Sequence, residues 1–219
     1  MLRRILPLFV AITAFAQQPD PSFAPVQETP GLPRVLLIGD SISIGYTIPV
    51  RKLLEGKANV QRVPDNAGPT THGVQFVETW LGKGHWDVIH FNFGLHDLKL
   101  MWDDRPQVTV EDYERNLRRI VARLKQTGAK LIWASTTPVP DAKVSPPRSN
   151  VDVLRYNQAA ARIMRENDIE IDDLNAEVRQ KLNELQQPAN VHFKPEGYST
   201  LAEAVARHIA GTLVFANRK

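Results

Sequence analysis

Arg34-Val35-Leu36-Leu37-Ile38-Gly39-Asp40-Ser41-Ile42 is a short apolar run that stops at a glycine and delivers a serine into a tight turn. A run this short and this apolar has the pattern of a strand buried on both faces. Downstream of it, strand-like and helix-like stretches alternate to the end of the chain. Further strands are expected at 60–63, at 88–93 (closed by Gly94), at 130–134 and, briefly, at 169–171. Helices are expected at 49–55, with Pro49 in the first turn, at 73–81, where Val74, Val77 and Leu81 keep helical spacing, and at 151–167. The clearest helix follows Thr109, which stands three residues before Asp112 in a capping-box-like arrangement. Val110, Tyr113, Leu117, Ile120, Val121 and Leu124 form its apolar face, and Gly128 follows its end. A last helix opens at Pro195 with Tyr198, Leu201, Val205, Ile209 and Leu213 on one side.

This alternation predicts an α/β domain, a three-layer α/β/α sandwich around a parallel sheet of about five strands. In such sheets the site lies beyond the carboxyl ends of the strands. Ser41 follows the first strand, Gly68 the second and His96 the third, and His192 lies in the loop before the last helix. All four are therefore expected on one edge. A serine hydroxyl is a weak nucleophile near neutral pH, and an imidazole beside it can take its proton. Ser41 with His192 points to acyl transfer, in particular ester hydrolysis. The plainer alternatives are a turn or cap serine at 41 and a capping histidine at 192. Asp40 reads as a turn-forming residue rather than a catalytic acid.

Other chemistries find little support. The chain has no cysteine, which excludes disulfides, thiolate metal sites and a cysteine nucleophile. His72, His85 and His90 match no zinc spacing, and His90 falls mid-strand, where a buried, hydrogen-bonded role is expected. No Gly-x-Gly-x-x-Gly, Walker-type loop or Gly-x-Ser-x-Gly elbow is present. Neither a metal nor a cofactor is expected. The 219 residues suffice for one sizeable core. The net charge of +3 drops to +1 without Arg3 and Arg4, and no basic tract suggests nucleic acid.

Those two arginines precede an apolar run over 5–15 and the small-residue pattern Ala14-Phe15-Ala16. The order is that of a signal peptide over 1–16, and the run is too short to span a bilayer. An N-terminal membrane anchor or a poorly ordered hydrophobic tail is the alternative. Residues 17–33, with prolines at 19, 21, 25, 30 and 33, read as a linker or surface strap, and the folded domain is expected over 34–219. The expected location is the periplasm or the exterior, without stable membrane association once the signal is removed.

Four blocks resemble the SGNH (GDSL-type) hydrolases, a family with a flavodoxin-like α/β/α fold. Gly39-Asp40-Ser41-Ile42 resembles the nucleophile block, with isoleucine for the usual leucine. Asn66-Ala67-Gly68 with Thr70, Gly94-Leu95-His96-Asp97, and Val191-His192-Phe193 with Pro195-Glu196-Gly197-Tyr198 resemble the other three. The resemblance implies that Ser41 attacks an ester carbonyl and His192 is the base. It also implies an oxyanion hole formed by the backbone N–H groups of Ser41 and Gly68 and a side chain at 96.

Two positions depart from the family pattern. His96 replaces an asparagine that donates its amide, and a neutral imidazole retains one N–H to donate. Ala189 stands where an aspartate three residues before the histidine is usual, leaving Asn190 as a possible orienting group for His192. The expected protein is thus an exported serine esterase for short acyl groups, such as acetyl, on carbohydrate, working through an acyl-enzyme on Ser41. The alternatives are a catalytically weak or inactive carbohydrate-binding protein on the same scaffold and a metal-dependent hydrolase using His90, His96 and Asp97. Trp102, Arg105 and Arg148, in the loops after the third and fourth strands, are candidates to touch a polar substrate.

Overall fold

Strand β1, Arg34–Ile38, runs through the middle of the molecule, with Val35 to Ile38 each no more than 2% exposed. In the computed structural model, which describes residues 20–216, β1 lies between β2 (Asn59–Arg62) and β3 (Val88–Phe91). β4 (Lys130–Ala134) and β5 (Glu170–Asp172) continue beyond β3, giving the order β2-β1-β3-β4-β5 with every neighbouring pair parallel. This is the doubly wound order with its switch point between β1 and β3. The expected three-layer sandwich is the observed fold.

The helices divide between the two faces of the sheet. α1 (Ser41–Leu53) packs on α7 (Pro195–Ala216). On the opposite face α2 (Thr70–Leu81) packs on α3 (Val110–Lys125), and α3 on α4 (Asn150–Glu166). The Thr109 hydroxyl accepts from the N–H of Asp112, and the whole expected apolar face of α3 is buried. Burial of that stripe, more than helix propensity, holds such a helix in place.

Several elements differ from expectation. α1 starts at Ser41, not at residue 49, because the Asp40 carboxylate caps it by accepting from Ile42 N at 2.9 Å. Pro49 then falls inside the helix rather than in its first turn. β3 stops at Phe91, two residues early, where the chain turns toward the site. Between β5 and α7 lie two short helices, α5 (Leu174–Arg179) and α6 (Leu182–Leu185), too short for a hydrophobic period to reveal.

Residues 20–33 lie along β2, the edge strand. Gln61 exchanges hydrogen bonds with the backbone of Val26, and Asn59 does so with Thr29 while also donating to Leu32 O. Arg51 donates to Pro21 O, and the Arg62 guanidinium lies 4.9 Å from the Phe23 ring. The segment covers a strand edge that would otherwise offer unpaired backbone groups. The expected signal segment, 1–16, lies outside the described residues. Among those described, no helix is long and apolar enough to cross a membrane.

Candidate active site

The turn after β1 is built to hold Ser41 still. Asp40, 2% exposed, caps α1, which makes Ser41 the first helical residue, with an N–H that has no acceptor inside the helix. A Cβ on Gly39 would sit 2.6 Å from the Ser43 Cβ, so the approach of turn to helix requires glycine there. From below, buried Arg62 donates to Gly39 O, Asp65 O, Val63 O and the Thr47 hydroxyl. Burial pulls the guanidinium down to about 10, a cost offset by these four acceptors. Nothing in the local pattern around Arg62 marks this role, since the atoms it joins are set by the fold.

His192 reaches Ser41 from the loop between α6 and α7. Buried Phe193 anchors the loop, Gln186 donates to Val191 O and Pro138 O, and Gln187 N donates to His192 O. His192 Nε2 lies 2.9 Å from Ser41 Oγ, and Nδ1 lies 2.8 Å from Asn190 Oδ1. The same oxygen accepts from His192 N at 3.0 Å. A backbone N–H only donates, so the Asn190 atom facing it is the carbonyl oxygen. That oxygen only accepts, so Nδ1 carries the ring proton and Nε2 is free to accept from the serine hydroxyl. The geometry therefore selects the tautomer that a general base needs. Ala189 is exposed, with φ of 49°, and Asn190 takes the contact with His192.

On the opposite side, Gly68 has φ of 57°, and its N–H donates to Asn66 Oδ1 at 3.0 Å. That expected oxyanion donor is thus engaged in the structure. The half-buried His96 ring lines the same cleft as Ser41 and makes no hydrogen bond among the described residues. Burial lowers its pKa; Asp40 opposes this, while Lys99, Arg148 and His192 add to it. The neutral ring, with one N–H to give, is therefore favoured. Asp97 accepts from both the N–H (2.9 Å) and the hydroxyl of Thr70, tying the loop after β3 to the start of α2. Burial pushes its carboxyl up to about 7.

The remaining histidines are committed elsewhere: His90 to Asp172 at 3.1 Å, His72 to Asp65, His85 to Asp87 and His208 to Glu170. With His90 on Asp172 and Asp97 on Thr70, the trio His90, His96 and Asp97 is not arranged to share an ion, and no metal-capable group of three occurs among the described residues. The cleft, about 540 Å³, is lined by Ser41, His192, Asn190, His96, Lys143 and Arg148 among others. Arg148 thus reaches the cleft, whereas Trp102, 94% exposed, and Arg105 do not line it.

Residues 37–199 match the profile of the GDSL-like lipase/acylhydrolase family. Among solved structures, the lipase/acylhydrolase from Enterococcus faecalis is similar at a TM-score of 0.72 and 19% identity, the match covering 82% of this chain and 96% of that one. The acetyl xylan esterase AlAXEase is similar at 0.69 and 14% identity, covering 80% and 99%. Axe2, an acetylxylan esterase from Geobacillus stearothermophilus, is similar at 0.66 and 20% identity, covering 81% and 94%. No curated protein matches the chain. At these identities the solved structures speak for the fold, and the family rests on the profile, which spans most of the sequence. The chain belongs to the GDSL-like lipase/acylhydrolase family, the SGNH hydrolases, and is an ester-hydrolysing serine hydrolase of that family.

Proposed function

We propose that the protein is an exported esterase that removes short acyl groups, acetyl in particular, from carbohydrate, through an acyl-enzyme on Ser41. The observation that carries the catalytic part is the relay from Asn190 Oδ1 through His192 to Ser41 Oγ, with contacts of 2.8 and 2.9 Å. His192 Nε2 takes the hydroxyl proton as Ser41 Oγ bonds to the ester carbonyl carbon. The carbonyl oxygen becomes an oxyanion facing Ser41 N–H and the His96 ring, and Gly68 N–H joins once it leaves Asn66. His192 then passes its proton to the departing alcohol, which leaves Ser41 acylated. Water, deprotonated by the same imidazole, attacks the acyl carbon. Collapse of the second oxyanion releases the carboxylic acid and restores the serine.

Asn190 orients the ring but contributes no charge to the imidazolium. The same feature favours the second reading, a weak or inactive carbohydrate-binding protein. The sugar component is supported by the acetylxylan esterases of similar fold. Export is supported by Arg3-Arg4, the apolar run and Ala14-Phe15-Ala16.

The test is acetate release from acetylated xylan and turnover of 4-nitrophenyl acetate by the purified protein, each compared with Ser41→Ala. Binding of the glycan without turnover would favour the second reading. Export is tested by N-terminal sequencing of protein recovered outside the cytoplasm, expected to begin at Gln17.

A further inference from the structure

Positive charge collects at this cleft, and among the described residues no acidic side chain lines it. The charged side chains that do, Lys143 and Arg148, are both cationic. Several arginines elsewhere find acidic partners, such as Arg118 with Glu166, Arg123 with Glu78, Arg162 with Glu114 and Arg207 with Glu177, while others, such as Arg105, Arg119 and Arg165, join no ion pair among the described residues. Neither Lys143 nor Arg148 joins an ion pair among the described residues, and nor does Lys99, close enough to Arg148 and His96 to act on both.

Arg148 is fixed rather than loose. Its Nε donates to Leu95 O at 2.9 Å and one terminal nitrogen donates to Pro146 O at 3.0 Å. A guanidinium has five N–H donors, so others remain to face the cleft. Burial lowers the Arg148 pKa, and the acid acting on it is Asp40, which is buried and occupied in capping α1. A half-buried arginine held by two carbonyls, and in no ion pair among the described residues, is a preorganised seat for an anion.

We propose that the ester this enzyme prefers carries a carboxylate, seated by Arg148 and Lys143. This rests on the esterase reading and narrows it from esters in general to acidic ones. Two kinds of substrate offer that chemistry. The carboxylate can lie on the alcohol side, as in an acetylated uronic-acid glycan, or on the acyl side, as in the half-ester of a dicarboxylic acid.

The experiment compares kcat/KM within two matched pairs, using the purified full chain. The alcohol-side pair is 4-acetoxybenzoate and the neutral 4-acetoxybenzamide. The acyl-side pair is mono-4-nitrophenyl adipate and its methyl ester. In at least one pair the anion is expected to be favoured about 3- to 30-fold, the size of one or two partly exposed charge contacts. That preference is expected to collapse in about 1 M NaCl, where the screening length is about 3 Å. Lys143 is exposed, so its substitution leaves folding intact. Lys143→Gln is expected to lower the anion-to-neutral ratio and Lys143→Glu to lower it further, while Arg148→Lys retains part of it. Equal rates within both pairs, or a preference indifferent to salt and to Lys143→Glu, would overturn the inference. If the neutral esters are turned over in a Ser41-dependent way without anion preference, this inference alone fails. If no ester is turned over, the esterase reading fails.

Discussion

Asn190 is the residue on which catalytic strength turns. It holds His192 in the working tautomer but stays neutral when the ring gains a proton. Asn190→Ala is expected to lower kcat by freeing the ring. Asn190→Asp is expected to raise it, since a carboxylate favours imidazolium in the transition state. The same charge favours the protonated ring. The base works only when neutral, so the acidic limb of the kcat/KM profile is expected to move to higher pH. Ala189→Asp is a contrasting case. Position 189 tolerates aspartate at its left-handed φ of 49°, but Asn190 already occupies Nδ1, so little gain in kcat is expected. A large gain in Ala189→Asp with none in Asn190→Asp would show the ring taking its partner from position 189.

His96 is the other residue to test. Burial lowers its pKa and so favours the neutral ring. His96→Ala is expected to lower kcat by about 10²–10³ with a smaller effect on KM, as for an oxyanion donor. His96→Asn is expected to retain much of the activity. An unchanged kcat in His96→Ala would make the residue structural.

At the scale of elements, the catalytic pair depends on how α1 meets α7. A Cβ added at Gly45 in α1 would overlap the Tyr198 ring in α7, so the ring or the helices must shift to make room. Gly45→Ala is expected to destabilise the protein by about 1–3 kcal/mol, as overpacking does, and to lower kcat by separating Ser41 from His192. Gly211→Ala, also on α7 but facing open space, is expected to stabilise by about 0.5–1 kcal/mol. Thermal melts of the two variants check both signs.

The elements also show what local pattern can reveal. β4 and the Thr109 cap were legible because an apolar run and a capping pair are local signals. The start of α1 was not, because Pro49 resembles a helix opening while the actual cap, Asp40, sits inside the nucleophile turn. Ser41, His96 and His192 were legible as strand-end or loop residues. Arg62 under Gly39 and the cations Lys143 and Arg148, in no ion pair among the described residues, were not. Their meaning lies in neighbours that only the fold supplies.

At the scale of the whole molecule, Asp97 makes stability depend on pH. Its folded pKa of about 7 is raised by burial above the ordinary aspartate value of about 3.9. The folded state then holds the proton more tightly than the unfolded one, so this contribution is full below about pH 4 and is lost as pH rises through about 7. The unfolding free energy of the wild type minus that of Asp97→Asn is expected to fall by on the order of a few kcal/mol across that window. Denaturant titrations at pH 4.5, 6 and 8 check it, and a flat difference would place Asp97 at an ordinary pKa.

The fold brings two ends of the chain, 151 residues apart, to within one hydrogen bond at Ser41 and His192, and the central claim is that this contact performs ester hydrolysis. The most direct measurement is the kcat for 4-nitrophenyl acetate of purified, folded Ser41→Ala beside the wild type. The account predicts a loss of at least about 10³-fold, the scale on which nucleophile removal acts in serine hydrolases. A folded Ser41→Ala protein that turns the ester over at the wild-type rate would contradict it.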